Sequence, residues 1–101
     1  MTKNGEDFAP VSDNVENIGP VAPVVMYTTA WCVDCWRAKQ VMDSMKVEYQ
    51  EIDINEDEDA AEKVMHLNRG HRSVPTIIFP DGSVMTEPRT TTLVQKLQSL
   101  A

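Results

Sequence analysis

The sequence predicts an α/β protein, a four-stranded mixed sheet flanked by three helices in the order β-α-β-α-β-β-α. Three observations predict it. Apolar or alternating segments of strand length stand at residues 24–27, 47–54 and 76–79. Stretches with apolar residues three and four apart separate and follow them, the mark of helices with one buried face. The chain has 101 residues, 42% of them hydrophobic and 25% charged, which suits one globular domain that folds by burial around a single core.

Residues 1–20 are rich in Asn, Asp, Glu, Gly and Pro, with Phe8, Val11, Val15 and Ile18 at no sustained period. They read as a disordered tail ahead of a domain over residues 21–101. Val24-Val25-Met26-Tyr27 is apolar on both faces, as in a strand covered from both sides. The first helix starts at or just after Cys32, because Cys35, Ala38, Met42 and Met45 share a face while Arg37, Lys39 and Asp43 point elsewhere. It stops before Val47, and residues 47–54 alternate with period two.

The acidic run Asn55-Glu56-Asp57-Glu58-Asp59 suits a helix N-terminus, and Ala61, Val64 and Met65 mark that helix's inner face. Arg69 fits its last turn and Gly70 the C′ position. Residues 76–79 form the third strand, Pro80-Asp81-Gly82-Ser83 a turn, and Val84-Met85 a short fourth strand. The last helix begins around Thr90-Thr91-Thr92 and lines up Leu93, Val94, Leu97 and Leu100. Met42, Met45, Met65 and Met85 sit at core spacing. Right-handed crossovers leave few topologies for this string, and the thioredoxin-like sheet is one of them.

Composition excludes several function classes. With 16 acids against nine bases, a net charge of −7 and no basic stripe, nucleic acid is not an expected partner. No apolar run approaches the roughly 20 residues of a membrane span, and no charged n-region leads into an apolar stretch at the start. Two cysteines do not make the disulfide framework of a small secreted domain. The expectation is a cytoplasmic protein, in which a CxxC pair is catalytic or metal-binding.

Both cysteines fall in Ala30-Trp31-Cys32-Val33-Asp34-Cys35-Trp36, at the expected strand-to-helix junction. A sulfur at a helix N-terminus lies among unpaired N–H groups and the positive end of the dipole, so the Cys32 thiol should be acidified. Three residues on, one turn of helix brings Cys35 onto the same face, within disulfide reach. The more open sulfur attacks and the other resolves, which makes Cys32 the nucleophile and Cys35 the resolver in thiol–disulfide exchange. Asp34 puts a carboxylate nearby and should moderate that acidity. Two other readings were open: a pair of buried small hydrophobes, and a zinc site completed by His66 and His71. Against zinc, about 30 residues and a strand separate Cys35 from His66, so the two histidines read as solvated helix-end residues.

The stretch from Met26 to Cys35, followed by Asn68-Arg69-Gly70-His71-Arg72-Ser73-Val74-Pro75-Thr76 and Asp81-Gly82-Ser83, resembles the glutaredoxin family and, within it, the mycoredoxin-like branch that uses mycothiol in place of glutathione. The resemblance covers about residues 23–100. It implies that Pro75 is the family's cis-proline and that the backbone of Val74 pairs with the substrate's cysteine. It places Tyr27 and Trp31 beside the site, and lets Arg72 hold a substrate carboxylate.

It implies an enzyme that reduces mixed disulfides between proteins and a low-molecular-weight thiol, with that thiol as co-substrate, no bound cofactor or metal, and a monomeric state. Three departures stand out. Cys-Val-Asp-Cys replaces the common Cys-Pro-Tyr-Cys, so the redox potential does not carry over. Thr86-Glu87-Pro88-Arg89 replaces the Gly-Gly and Asp pattern that binds the γ-glutamyl end, which points away from glutathione. Thr28 and Thr29 stand where many members place a basic residue before the first cysteine. The alternatives are a thioredoxin-like dithiol donor recharged by thioredoxin reductase, and an iron–sulfur module in which two subunits each contribute a cysteine.

Overall fold

The computed structural model describes residues 23–100, so the tail expected over residues 1–20 lies outside the described residues. Seven elements follow in the expected order. They are β1 (Val24–Thr28), α1 (Val33–Ser44), β2 (Tyr49–Asp53), α2 (Glu58–Leu67), β3 (Thr76–Ile78), β4 (Val84–Thr86) and α3 (Thr90–Ser99). The sheet order is β2-β1-β3-β4. β1 runs parallel to β2 and antiparallel to β3, which is antiparallel to β4.

The single core expected from length becomes two, one on each face of the sheet. Val24 and Met26 of β1 pack with Ala38 and Met42 of α1, Ile77 and Phe79, and Leu93 and Leu97 of α3. Tyr27, on the opposite side of the pleat, packs with Ile54 and with Ala60, Ala61 and Val64 of α2. Helices on both faces explain why β1 is apolar without alternation.

After α1 and after α2 the boundaries differ from the sequence expectation for one reason. Strand β2 begins at Tyr49 rather than Val47, because Lys46 turns left-handed at φ 58° and the Val47 N–H donates to Met42 O at 2.9 Å, closing α1. At the other helix, α2 ends at Leu67 with Asn68 as its C-cap. The left-handed C′ residue is Arg69 at φ 57°, and Gly70 one position later donates to Met65 O at 2.7 Å.

Left-handed backbone costs a residue with a Cβ on the order of 1 kcal/mol. Glycine at Lys46 should therefore stabilise the fold by about 0.5–1 kcal/mol. Urea unfolding of Lys46→Gly checks this, and a lower midpoint would show that the lysine side chain contributes more than the backbone conformation costs.

Candidate active site

Thr28 ends β1 fully buried, and its hydroxyl donates to Glu51 Oε2 at 3.1 Å. The Lys39 ammonium donates to the same oxygen at 3.0 Å, so one carboxylate joins the end of β1, strand β2 and helix α1. The chain then turns and enters α1 at Cys32, the N-cap residue, with extended backbone at φ −101° and ψ 111°. Its Sγ accepts the Cys35 N–H at 3.0 Å, the position in which a Ser or Asp side chain usually satisfies a free amide of the first turn.

The two Cα atoms are 5.1 Å apart and the sulfurs are joined as a disulfide. Their surroundings are unequal. Cys32 is partly exposed, whereas Cys35 is 1% exposed beneath the first turn of α1. Asp34 does not stand alone beside them, because Arg37 one turn on holds its carboxylate at 2.9 Å. Both partners are exposed, so the pair contributes little to stability, but it offsets the negative charge that the sequence put next to Cys32.

Sheet topology brings the second half of the site in from 42 residues away. Because β3 runs antiparallel to β1, the start of β3 lies beside the end of β1, with Thr76 opposite Tyr27. The residues just before Thr76 therefore arrive next to the cysteine turn. The Val74–Pro75 peptide is cis. Val74 leans its side chain on the α2-side core, and its carbonyl oxygen lies 3.8 Å from Cys32 Sγ.

Other residues singled out by sequence are placed as follows. Trp31 is 95% exposed immediately before Cys32. Tyr27 is buried in the α2-side core: along the pleat it shares the side of Val25, and it packs with Ile54, Ala60, Ala61 and Val64. Arg72 is exposed and donates to Asn55 Oδ1 at 2.9 Å, in the loop after β2. His66 and His71 are exposed, and among the described residues no group of three or more His, Cys, Asp or Glu comes together as a metal-ligand set. Sequence reasoning left Trp36 without a role. It lies four residues after Cys32, one turn along α1, and Trp31, Val33 and Trp36 are all exposed large apolar side chains in the sequence around the two cysteines.

A sulfur held at a helix start, open to solvent and backed by a second sulfur one turn below, is built to exchange disulfides. On this sheet it defines a thiol–disulfide oxidoreductase of the thioredoxin-like fold. The glutaredoxin family model matches residues 24–84. The chain is 37% identical over 78 residues to mycoredoxin 1 of Corynebacterium glutamicum, covering 77% of this chain and 96% of that protein. It is 40% identical over 80 residues to a glutaredoxin-named protein of Mycobacterium tuberculosis, covering 79% of this chain and 95% of the other. The thioredoxin-like protein BC3987 superposes with a TM-score of 0.62 at 27% identity, over 77% of this chain and 99% of its own. The glutaredoxin-like NrdH-redoxin of Escherichia coli shares the fold at a TM-score of 0.62 and 23% identity, over 73% and 93% of the two chains. The chain belongs to the glutaredoxin family, whose members act on disulfide substrates together with a thiol. Among the described residues no helix is long and apolar enough to cross a membrane.

Proposed function

We propose that this protein is a mycoredoxin-type glutaredoxin, reducing mixed disulfides between proteins and a small thiol, with mycothiol preferred over glutathione. The observation that carries the reading is the inequality of the two sulfurs: an open Cys32 capped by the Cys35 N–H, and a buried Cys35. In the reduced enzyme the Cys32 thiolate, favoured by that amide and by the helix dipole, attacks the small thiol's sulfur in the mixed disulfide. The old S–S bond breaks, the client protein leaves as its thiolate and takes up a proton, and Cys32 is left disulfide-bonded to the small thiol. A second small-thiol thiolate then attacks that small-thiol sulfur, forming the small-thiol disulfide and returning the Cys32 thiolate. Alternatively, the Cys35 thiolate attacks Cys32 Sγ and expels the small thiol, giving the Cys32–Cys35 disulfide.

In this reading the Val74 backbone beside the Pro75 turn receives the client segment, and Trp31 covers its apolar flank. Arg72 takes a substrate carboxylate when it leaves Asn55. The enzyme works as a monomer in the cytoplasm, where small thiols are kept reduced, and carries no bound cofactor.

The preference against glutathione rests on the turn after β4. Pro88 has no N–H, and the Glu87 N–H is spent on Pro75 O at 2.8 Å, so neither amide is free for the α-carboxylate of a γ-glutamyl group. Glu87 adds a like charge there. A sugar-bearing thiol without that carboxylate meets no such conflict. The test compares one peptide conjugated through its cysteine to mycothiol or to glutathione, each reduced by the matching free thiol. The expected result is a kcat/KM at least about tenfold higher for the mycothiol conjugate, a difference of about 1.4 kcal/mol. Equal or better use of glutathione overturns the preference.

A further inference from the structure

The Val74 carbonyl can face Cys32 only if the loop carrying it is held in place, and the structure shows what lies beneath that loop. Asn68, the C-cap of α2, has all its side-chain polar atoms engaged. Its Nδ2 donates to Val64 O at 2.8 Å and to Thr76 Oγ1 at 3.1 Å. Its Oδ1 accepts the Thr86 hydroxyl at 2.7 Å. The amide's orientation follows from its partners, since Val64 O only accepts and must face the NH₂ group. Thr76, fully buried, passes the connection on by donating to Ser73 O at 2.7 Å.

The loop is also closed at its entry, where the His71 N–H donates to Asn68 O at 3.1 Å. The Asn68 side chain thus ties together the end of α2, the first residue of β3 and the last residue of β4, and through the Thr76 hydroxyl it reaches Ser73 at the head of the Ser73–Val74–Pro75 turn. Alternatives serve badly. An Asp would turn an acceptor towards Val64 O, and an Ala would remove the N–H that the buried Thr76 Oγ1 accepts and the oxygen to which the Thr86 hydroxyl donates.

We infer that Asn68 is a positioning residue of the redox site, setting the place of the Val74 carbonyl over Cys32 and, through it, the seating of the disulfide substrate. The inference rests on the thiol-exchange reading above. Asn68 touches no reacting atom. Its effect passes through Thr76 and Ser73 to Val74, so it governs how well an extended substrate is held, while the Cys35 N–H that Cys32 Sγ accepts lies outside this chain of contacts.

The experiment measures kcat and KM separately for a peptide–mycothiol mixed disulfide at saturating free thiol, in wild type, Asn68→Ala and Thr86→Val. Loss of folded enzyme lowers kcat and leaves KM alone, whereas a misplaced loop raises KM. The expected result is a KM raised about tenfold in Asn68→Ala, which loses three hydrogen bonds, and about threefold in Thr86→Val, which loses one, with kcat within about twofold. Thr86→Val keeps a strand-compatible residue at an exposed position, so it carries the test if Asn68→Ala does not fold. A KM unchanged in the folded variants, whatever happens to kcat, overturns the inference. A wild type that does not turn the conjugate over removes the thiol-exchange reading itself, and this inference with it.

Discussion

Cys32→Ser is expected to fold normally and to reduce no mixed disulfide above the uncatalysed rate, while Cys35→Ser stays active. Serine is a strong N-cap residue, and its hydroxyl can accept the Cys35 N–H as Cys32 Sγ does, so the start of α1 survives the substitution. What is lost is the only solvent-exposed cysteine sulfur among the described residues, and an alcohol at neutral pH does not replace a thiolate as nucleophile. Cys35→Ser places a hydroxyl at a position 1% exposed, which costs stability on the order of 1–3 kcal/mol unless the hydroxyl finds a partner. Chemistry survives because a second small thiol can still free Cys32. The expected loss in kcat/KM is within about tenfold. Steady-state reduction of a peptide–mycothiol disulfide by the three proteins, with folding checked by circular dichroism, decides it. If Cys35→Ser is as inactive as Cys32→Ser, and the wild type is recharged only by a thioredoxin reductase, the protein is a dithiol donor and the small-thiol route is wrong. Residual activity in Cys32→Ser would overturn the assignment of the nucleophile.

How far the sequence carries is visible at particular residues. The order of elements is legible because β1 is too apolar to be anything but a covered strand, and because Asp57 and Cys32 stand at helix starts where their side chains accept amides. The ends of α1 and α2 are less legible: glycine is the usual signal for left-handed backbone, yet Lys46 adopts it after α1, and after α2 Arg69 adopts it one residue ahead of Gly70, which is also at positive φ. At the site, Cys32 and Cys35 declare themselves by spacing alone. Val74 and Pro75 do not, since nothing local says that a loop 42 residues downstream will meet Cys32, and only likeness to a known pattern pointed there. The packing of Tyr27 against α2 follows from the alternation of β1, which puts it on the side of Val25, away from Met26. The pairing of Asp34 with Arg37 follows a spacing of three on a helix and was readable. The link from Asn68 to Thr76 and Thr86 joins three elements and has no signature in any one of them.

Phe79→Ala is expected to be the most damaging single change outside the site, lowering stability by about 3–5 kcal/mol while leaving the chemistry of the folded molecules intact. The ring is 2% exposed, among the largest fully buried side chains, and belongs to the core between the sheet and helices α1 and α3. Its truncation leaves a cavity that the strand cannot collapse into, because the backbone there is fixed: the Phe79 N–H donates to Ser83 O and the Gly82 N–H to Phe79 O, both at 2.9 Å. The same ring carries the Lys96 ammonium 5.4 Å from its centre, and Lys96 reaches on to Asp81 Oδ2 at 2.6 Å. Lys96, with Ser83, holds the Asp81 carboxyl well below the usual carboxylate range. Removing the ring therefore also loosens the clasp between the β3–β4 turn and α3. The cysteines lie at the other end of the sheet, since β3 runs antiparallel to β1 and Phe79 follows the residue paired with Val25, whereas Cys32 follows Thr28. For a domain of this size each kcal/mol lowers the melting temperature by about 4–8 °C. The prediction is a drop of at least about 12 °C for Phe79→Ala, with kcat/KM per folded molecule unchanged at temperatures well below the transition. A drop of only a few degrees would show that Leu93, Leu97 and Met42 close over the space, and a loss of kcat/KM in fully folded protein would show that this end of the sheet communicates with Cys32.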